Sequence, residues 1–557
     1  WDAVRIGLAV EPAARWGMKS EYTPIEKRGD LPLGMTSGFS PQEILEPIEQ
    51  TVHDLKVSQA FYRENVQLQL SYDLSLFQND LDRVVADNPF RSTDHPTLGG
   101  ARGRAALPPD NVAHSLGLAG GVNLPWKTRV SGGVSYGWRR QDQEFLPHTI
   151  NSAISDSLLE LPQPSLDGDQ RLLRFHVVAN TRPLPRLNLT ARYRYFDYDD
   201  RTTELDFPAH VGYGDRMRVV EETDAHRHPY TRQIGGLDAT YGLLNGVRLK
   251  AGYGWEGMGR GEREVANSSE HTTRAALDLT RLDWLLLRAS YAVSWRRGDE
   301  YEVEGDVILP ELRRFDVADR DRTRAELLAR LFLHERLTLS TTYGRGTDEF
   351  PESAYGLQSD RSWTASAEVT WTPLDRLELY AAVGRDDAKL RQRSRSRTPP
   401  ALLDNLTYDW VANTTDRTNT ISTGWTLVVL PGKLDLGASW DVSESKLEMA
   451  AFNPTTPTGG TTAQNTSATA QNFPTIRQKL RPVSAFLRYS PDANWTATVR
   501  YGYERFQEND FRSDGLYPAR VTNGIFLGQD YQNYYAHLLT LTVGFRPALL
   551  RPARSTL

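Results

Sequence analysis

Residues 116–138 read Leu116-Gly117-Leu118-Ala119-Gly120-Gly121-Val122-Asn123-Leu124-Pro125-Trp126-Lys127-Thr128-Arg129-Val130-Ser131-Gly132-Gly133-Val134-Ser135-Tyr136-Gly137-Trp138. Leu116, Leu118, Gly120, Val122 and Leu124 share one parity, and Val130, Gly132, Val134, Tyr136 and Trp138 share one parity after the Pro-Trp-Lys-Thr turn. Period two is the repeat of an extended strand, whose successive side chains point to opposite faces. The stretch is therefore a β-hairpin with one apolar face and one small or polar face.

The same unit recurs along the chain. Leu237, Ala239 and Tyr241 turn at Asn245-Gly246 into Val247, Leu249, Ala251, Tyr253 and Trp255. Ala275, Leu277 and Leu279 turn near Asp283 into Leu285, Leu287, Ala289, Tyr291, Val293 and Trp295. Val483, Ala485, Leu487 and Tyr489 turn at Pro491-Asp492 into Trp495, Ala497, Val499, Tyr501 and Tyr503. In all there are ten hairpins and one closing strand that ends near Phe545, hence 21 strands. The opposite faces are polar, as in Gln67, Gln69, Ser71, Asp73 and Ser75. A globular β-protein would bury its apolar faces against one another, whereas an apolar face on every strand suits a wall against lipid.

The fold class this predicts is all-β: a large transmembrane antiparallel β-barrel of about 22–26 strands, with short periplasmic turns and long extracellular loops. The long connections are roughly 23–50, 78–111, 141–170, 199–229, 298–322, 387–415, 447–477 and 507–533. Trp126, Trp284, Trp371 and Trp495 lie beside short turns, while Trp138, Trp255, Trp295 and Trp440 lie at the far strand ends, forming two interfacial girdles. His114, His271 and His537 begin downward strands on the apolar face, which fits interface anchoring. Pro482 falls inside a strand pattern and is expected at the upper rim, where pairing ends.

Composition agrees. Mean hydropathy is −0.53, the average of two opposite faces. No run approaches the 18 apolar residues of a membrane helix. Of 557 residues, 65 are Lys or Arg and 71 Asp or Glu, so no basic excess points to nucleic acid. Cysteine is absent, which removes disulfides, thiolate metal sites and the C-x-x-C-H attachment of c-type haem. No catalytic residue stands out. His226 and His228, beside Glu221, Glu222 and Asp224, are read as solvated loop residues. No EF-hand spacing occurs among the loop acids, so no metal is assigned. The domain reading is one barrel over 1–557 with a short tail at 546–557. An odd strand count predicts that N-terminal residues are missing ahead of Trp1, since bacterial barrels usually have even numbers.

Three segments carry a family resemblance. They are Leu312-Arg313-Arg314-Phe315-Asp316-Val317-Ala318-Asp319-Arg320-Asp321-Arg322-Thr323, then Tyr72-Asp73-Leu74-Ser75-Leu76-Phe77-Gln78-Asn79 with Asn88-Pro89-Phe90 following, and Asp348-Glu349-Phe350-Pro351 leading to Gly356-Leu357. With the strand texture, they resemble the MtrB/PioB outer-membrane barrels associated with decahaem c-type cytochromes. The chain differs in being shorter and in lacking the N-terminal Cys-x-x-Cys of some members.

The resemblance implies an outer-membrane sheath in a Gram-negative bacterium. Such a barrel holds a periplasmic multihaem cytochrome in its lumen, with an extracellular cytochrome able to dock on the long loops. It binds no cofactor itself; the c-type haems belong to the partner, and the barrel is no enzyme. Strands about 4.8 Å apart and tilted about 40° give a lumen roughly 30 Å wide or more, enough for a slender folded protein. The lumen face is then a partner interface, with Arg174, Arg192, Arg194, Arg248, Arg288, Arg324, Arg330 and Arg500 as candidates beside Asp73, Glu326, Asp435 and Asp441. The alternative is a wide outer-membrane porin or transport channel.

Overall fold

The computed structural model describes the chain except for residues 1, 14, 38–39, 156–158, 213–216, 220–222, 304–308, 310, 397–403, 513–523, 527–532 and 546–557. The wall strands, numbered here in chain order, are β1 Ile6–Ala13 (with Asp2–Ala3 paired above it), β2 Trp16–Ser37, β3 Ser40–Arg63, β4 Val66–Asn79, β5 Asn111–Leu124, β6 Thr128–Gln141 and β7 Gly168–Leu184. They continue as β8 Leu187–Asp200, β9 Tyr230–Leu244, β10 Val247–Arg260, β11 Asn267–Leu282, β12 Leu285–Gly298, β13 Arg320–His334 and β14 Leu337–Glu349. The last are β15 Tyr355–Leu374, β16 Leu377–Arg395, β17 Asp409–Leu430, β18 Leu434–Phe452, β19 Ile476–Tyr489, β20 Trp495–Asn509 and β21 Tyr534–Phe545. Each pairs antiparallel with its sequence neighbours, an all-next-neighbour meander. Among the described residues, β1 and β21 are not joined by a ladder. Among the described residues no helix is long and apolar enough to cross a membrane.

The alternating faces separate as the sequence requires. Leu70, Leu118, Leu277, Val369 and Val383 are large apolar side chains left exposed on one side of the wall. In water that pattern would cost about 25 cal/mol per Å2 of apolar surface; against acyl chains it costs nothing. Trp126, 87 % exposed at its turn, and Trp284, Trp371 and Trp495 mark the lower girdle.

Three expectations need correction, the simplest being that 387–395 and 409–415, read as parts of a loop, are the paired upper ends of β16 and β17. Residues 23–50 are not a loop: β2 and β3 run on as a paired ribbon from Glu26↔Thr51 up to Ser37↔Ser40. The prolines at 24, 32, 41 and 47 had masked the strand. Above Gln50↔Asn79 no further strand continues the ladder on either side, so a missing N–H at Pro32, Pro41 or Pro47 interrupts no long ladder; among the described residues the β3 edge is bridged at Gln42 by Ile525, which accepts from Glu43 N–H and donates to Pro41 O. Likewise Pro482 is not at the rim. It lies inside β19, paired with Glu504 on one side, while on the other the β18 ladder lapses between Trp440↔Val483 and Ser443↔Leu480. The proline sits where the partner bond is missing.

The remaining loops also carry structure. Arg83–Asp87 pairs with Arg102–Ala106. Thr462–Ala468 is a short helix, begun by a capping box between Thr461 and Gln464.

Candidate functional site: the lumen wall and upper rim

The inward face is polar, and its charge is organised around a few carboxylates. Asp278 lies directly opposite both Arg248 and Arg288 in register. Its side chain, 4 % exposed, accepts from Arg288 Nε at 2.6 Å and from Lys250 Nζ at 3.0 Å. Asp348, opposite Arg322, holds Arg322 at 2.6 Å and Arg324 at 2.8 Å. Asp238 is shared by Arg192 and Arg274. That last pairing reaches across Gly252, where an added Cβ would collide with Asp238 Oδ1 and Arg274 Nε. Any larger residue there would push the pair apart.

The eight arginines proposed from sequence thus divide. Arg192, Arg248, Arg288 and Arg324 are committed to wall carboxylates. Arg174 instead lies over the Phe196 ring, 5.5 Å from its centroid, and Arg330 donates to Ser340 Oγ at 3.2 Å. Arg194 and Arg500 have no ion-pair partner among the described residues. Of the acids, Asp435 is taken by Arg488 at 2.8 Å. The hubs Asp238, Asp278 and Asp348 were missed in the sequence. Their signal was present: each shares inward parity with arginines at the same height on adjacent strands.

The motif 312–323 forms a rim clamp. Arg296 donates to the carbonyls of Phe315, Asp316 and Ala318. Arg263 grips Asp316 at 2.6 Å, Arg314 grips Glu264 at 2.7 Å, and Arg297 grips Asp321 at 2.7 Å. Val317, 1 % exposed, is the apolar plug at its centre. Burial pushes the Asp316 carboxyl up, but the Arg263 guanidinium outweighs it and holds the group below its ordinary range. In the second motif, Asn88 donates to Gly100 O and accepts from Phe90 N–H, an Asx-turn. In the third, Phe350 is buried and its N–H bonds Gln358 O.

The upper loops interlock. Asp94 accepts from Ser152 Oγ at 2.6 Å and from the Ser152 and Ala101 N–H groups, tying loop 78–111 to loop 141–170. These bonds, the Ser152 hydroxyl first, hold its carboxyl below the usual range. The rim also holds a cavity of about 830 Å3, lined in part by Arg104, Phe145, His148 and Arg227. Burial, then His210 and Arg104, depresses the His148 imidazole.

His226 bonds Glu262 at 3.1 Å rather than joining His228. Glu221 and Glu222 lie outside the described residues, as does the tail 546–557. Among the described residues no group of three or more His, Asp or Glu converges as for a metal ion.

An all-next-neighbour wall with an apolar exterior, two aromatic girdles and a charged interior defines an outer-membrane β-barrel. Over residues 2–546 the chain matches the outer membrane beta-barrel porin family MtrB/PioB, and it belongs to that family. It is 21 % identical over 552 residues to the outer membrane protein MtrB of Shewanella baltica, a match covering 97 % of this chain and 73 % of that protein. Among solved structures it resembles the copper transporter OprC, with a TM-score of 0.54 at 10 % identity over 98 % of this chain and 79 % of that one. The FrpB iron transporter of Neisseria meningitidis gives 0.52 at 10 % identity, with the same two coverages, 98 % and 79 %. At such identity these two likenesses speak for the fold alone.

Proposed function

We propose that this barrel sheathes a periplasmic multihaem c-type cytochrome, so that electrons cross the outer membrane along haems held inside its lumen. The observation that carries the reading is the division of the lumen charges within a wall of this family. Acidic hubs neutralise part of the inward arginines, while Arg174, Arg194, Arg330 and Arg500 keep no carboxylate partner among the described residues. Unneutralised guanidiniums on a wide inner wall suit a guest with acidic surface groups, such as carboxylates or haem propionates.

In this role the chain performs no redox chemistry and is not an enzyme. Having no cysteine, it offers no thioether attachment, and the haems belong to the guest. The interlocked loops and rim cavity would receive an extracellular cytochrome. The family's description as porins supports the other reading, an open channel. Planar-bilayer conductance separates the two. A sheath purified with its guest passes little current and opens to a wide, stable conductance when the guest is stripped. Wide conductance from the protein as isolated, with no haem protein present, supports the porin.

A further inference from the structure

The outward face carries a motif repeated at constant register. Tyr22, Tyr72, Tyr253 and Tyr501 each stand six residues above the first residue of an upward strand, namely Trp16, Val66, Val247 and Trp495. Each phenol meets the Nδ1 of a histidine on the adjacent downward strand: Tyr22–His53 at 2.8 Å, Tyr72–His114 at 2.9 Å, Tyr253–His271 at 2.6 Å and Tyr501–His537 at 2.8 Å. Tyr193 repeats the geometry with Gln233 at 3.0 Å. A phenol hydrogen in an apolar band needs an acceptor, and giving it to Nδ1 leaves Nε2 as an outward N–H donor. Eight residues of about 3.4 Å rise at about 40° tilt put the histidines about 21 Å above the lower strand ends, near the top of an apolar band about 25 Å tall.

At β19–β21 this ring meets uncompensated charge. His537 packs on Tyr503, centroids 5.0 Å apart. Two residues above Tyr503 on the same face is Arg505, and directly opposite it in register is Arg481. Like charges opposed across a ladder repel. Neither arginine has an ion-pair partner among the described residues, and the nearby Glu444 is taken by Lys479 at 3.2 Å. We propose that Arg481 and Arg505, with His537 below them, bind the phosphate of a lipid headgroup in the outer leaflet, its acyl chains running down past Tyr501 and Leu539. The height fits: Arg505 stands ten residues, about 26 Å, above Trp495, at headgroup level. An anion between the two guanidiniums converts their repulsion into paired bonding.

The test uses the full chain in phosphatidylcholine bilayers with spin-labelled phosphatidic acid or phosphatidylcholine, reading the fraction of label immobilised at the wall. The wild type should prefer phosphatidic acid. Arg481→Gln/Arg505→Gln should lose about fivefold or more of that preference, the ratio one arginine near an anionic surface contributes. Arg481→Lys/Arg505→Lys should keep most of it. Heat-modifiable gel migration verifies that each variant has formed the barrel. Equal affinity of the wild type for the two lipids, or undiminished preference in the Gln variant, overturns the proposal.

Discussion

Leu70 and Gln69 are neighbours on β4 with opposite facings, and replacing each with arginine tests the wall's orientation. Leu70 is 48 % exposed on the apolar side, while Gln69 has the parity of the lumen residues. Leu70 stands four residues above Val66, the first residue of β4. At about 3.4 Å per residue and about 40° tilt that is about 10 Å up a band about 25 Å tall, close to its midplane. A lipid-facing arginine at that depth costs about 2–4 kcal/mol, less if it snorkels to an interface. A lumen-facing arginine keeps its water, so Gln69→Arg should change stability by no more than about 0.5 kcal/mol. Urea-dependent folding of the full chain into phosphatidylcholine vesicles reads both. Equal costs for the two variants, or a cost below about 0.5 kcal/mol for Leu70→Arg, would refute the assignment of faces.

Three further outcomes follow from named contacts. Asp278→Asn leaves Arg288, Lys250 and Arg248 without their shared carboxylate; with those cations half in solvent, the loss should be about 2 kcal/mol in the same folding assay. Arg296→Met removes the bonds to the carbonyls of Phe315, Asp316 and Ala318, so limited proteolysis should cut within 312–319 while the barrel stays heat-modifiable. Asp94 has its carboxyl held below the ordinary value of 3.8, so its contribution is present above that pH and lost as pH falls through the lower folded value. The protection of the Ser152 amide against exchange, relative to a free peptide at the same pH, should therefore fall below about pH 4, and Asp94→Asn should abolish that pH dependence.

How legible the protein is from its sequence depends on which interaction sets each feature. Lipid imposes period two on every wall strand, so hairpins such as Leu277 to Trp295 are readable to within a residue or two. The ribbon over 23–50 was hidden because it extends past the lipid-facing wall, leaving no sustained hydrophobic alternation, and its prolines imitate a loop. The lumen hubs depend on the register between neighbouring strands, which single-strand periodicity does not give. Arg248 and Asp278 are thirty residues apart, yet directly opposed. Single-strand parity puts both inside the lumen but does not show that one neutralises the other. The rim clamp is less legible still: the arginines of 312–323 draw attention, but Arg296, which holds its carbonyls, belongs to the preceding strand.

The central claim is that a haem protein fills this lumen. The direct measurement is to purify the barrel from its own membrane in mild detergent and assay the product for covalent haem by peroxidase staining and by absorbance against protein. The sheath predicts a haem-positive partner that co-elutes in constant ratio and is displaced when Arg174, Arg194, Arg330 and Arg500 are replaced together by glutamate. A folded barrel that elutes alone from cells making periplasmic c-type cytochromes, with no haem stain and stable wide-bore conductance, contradicts it.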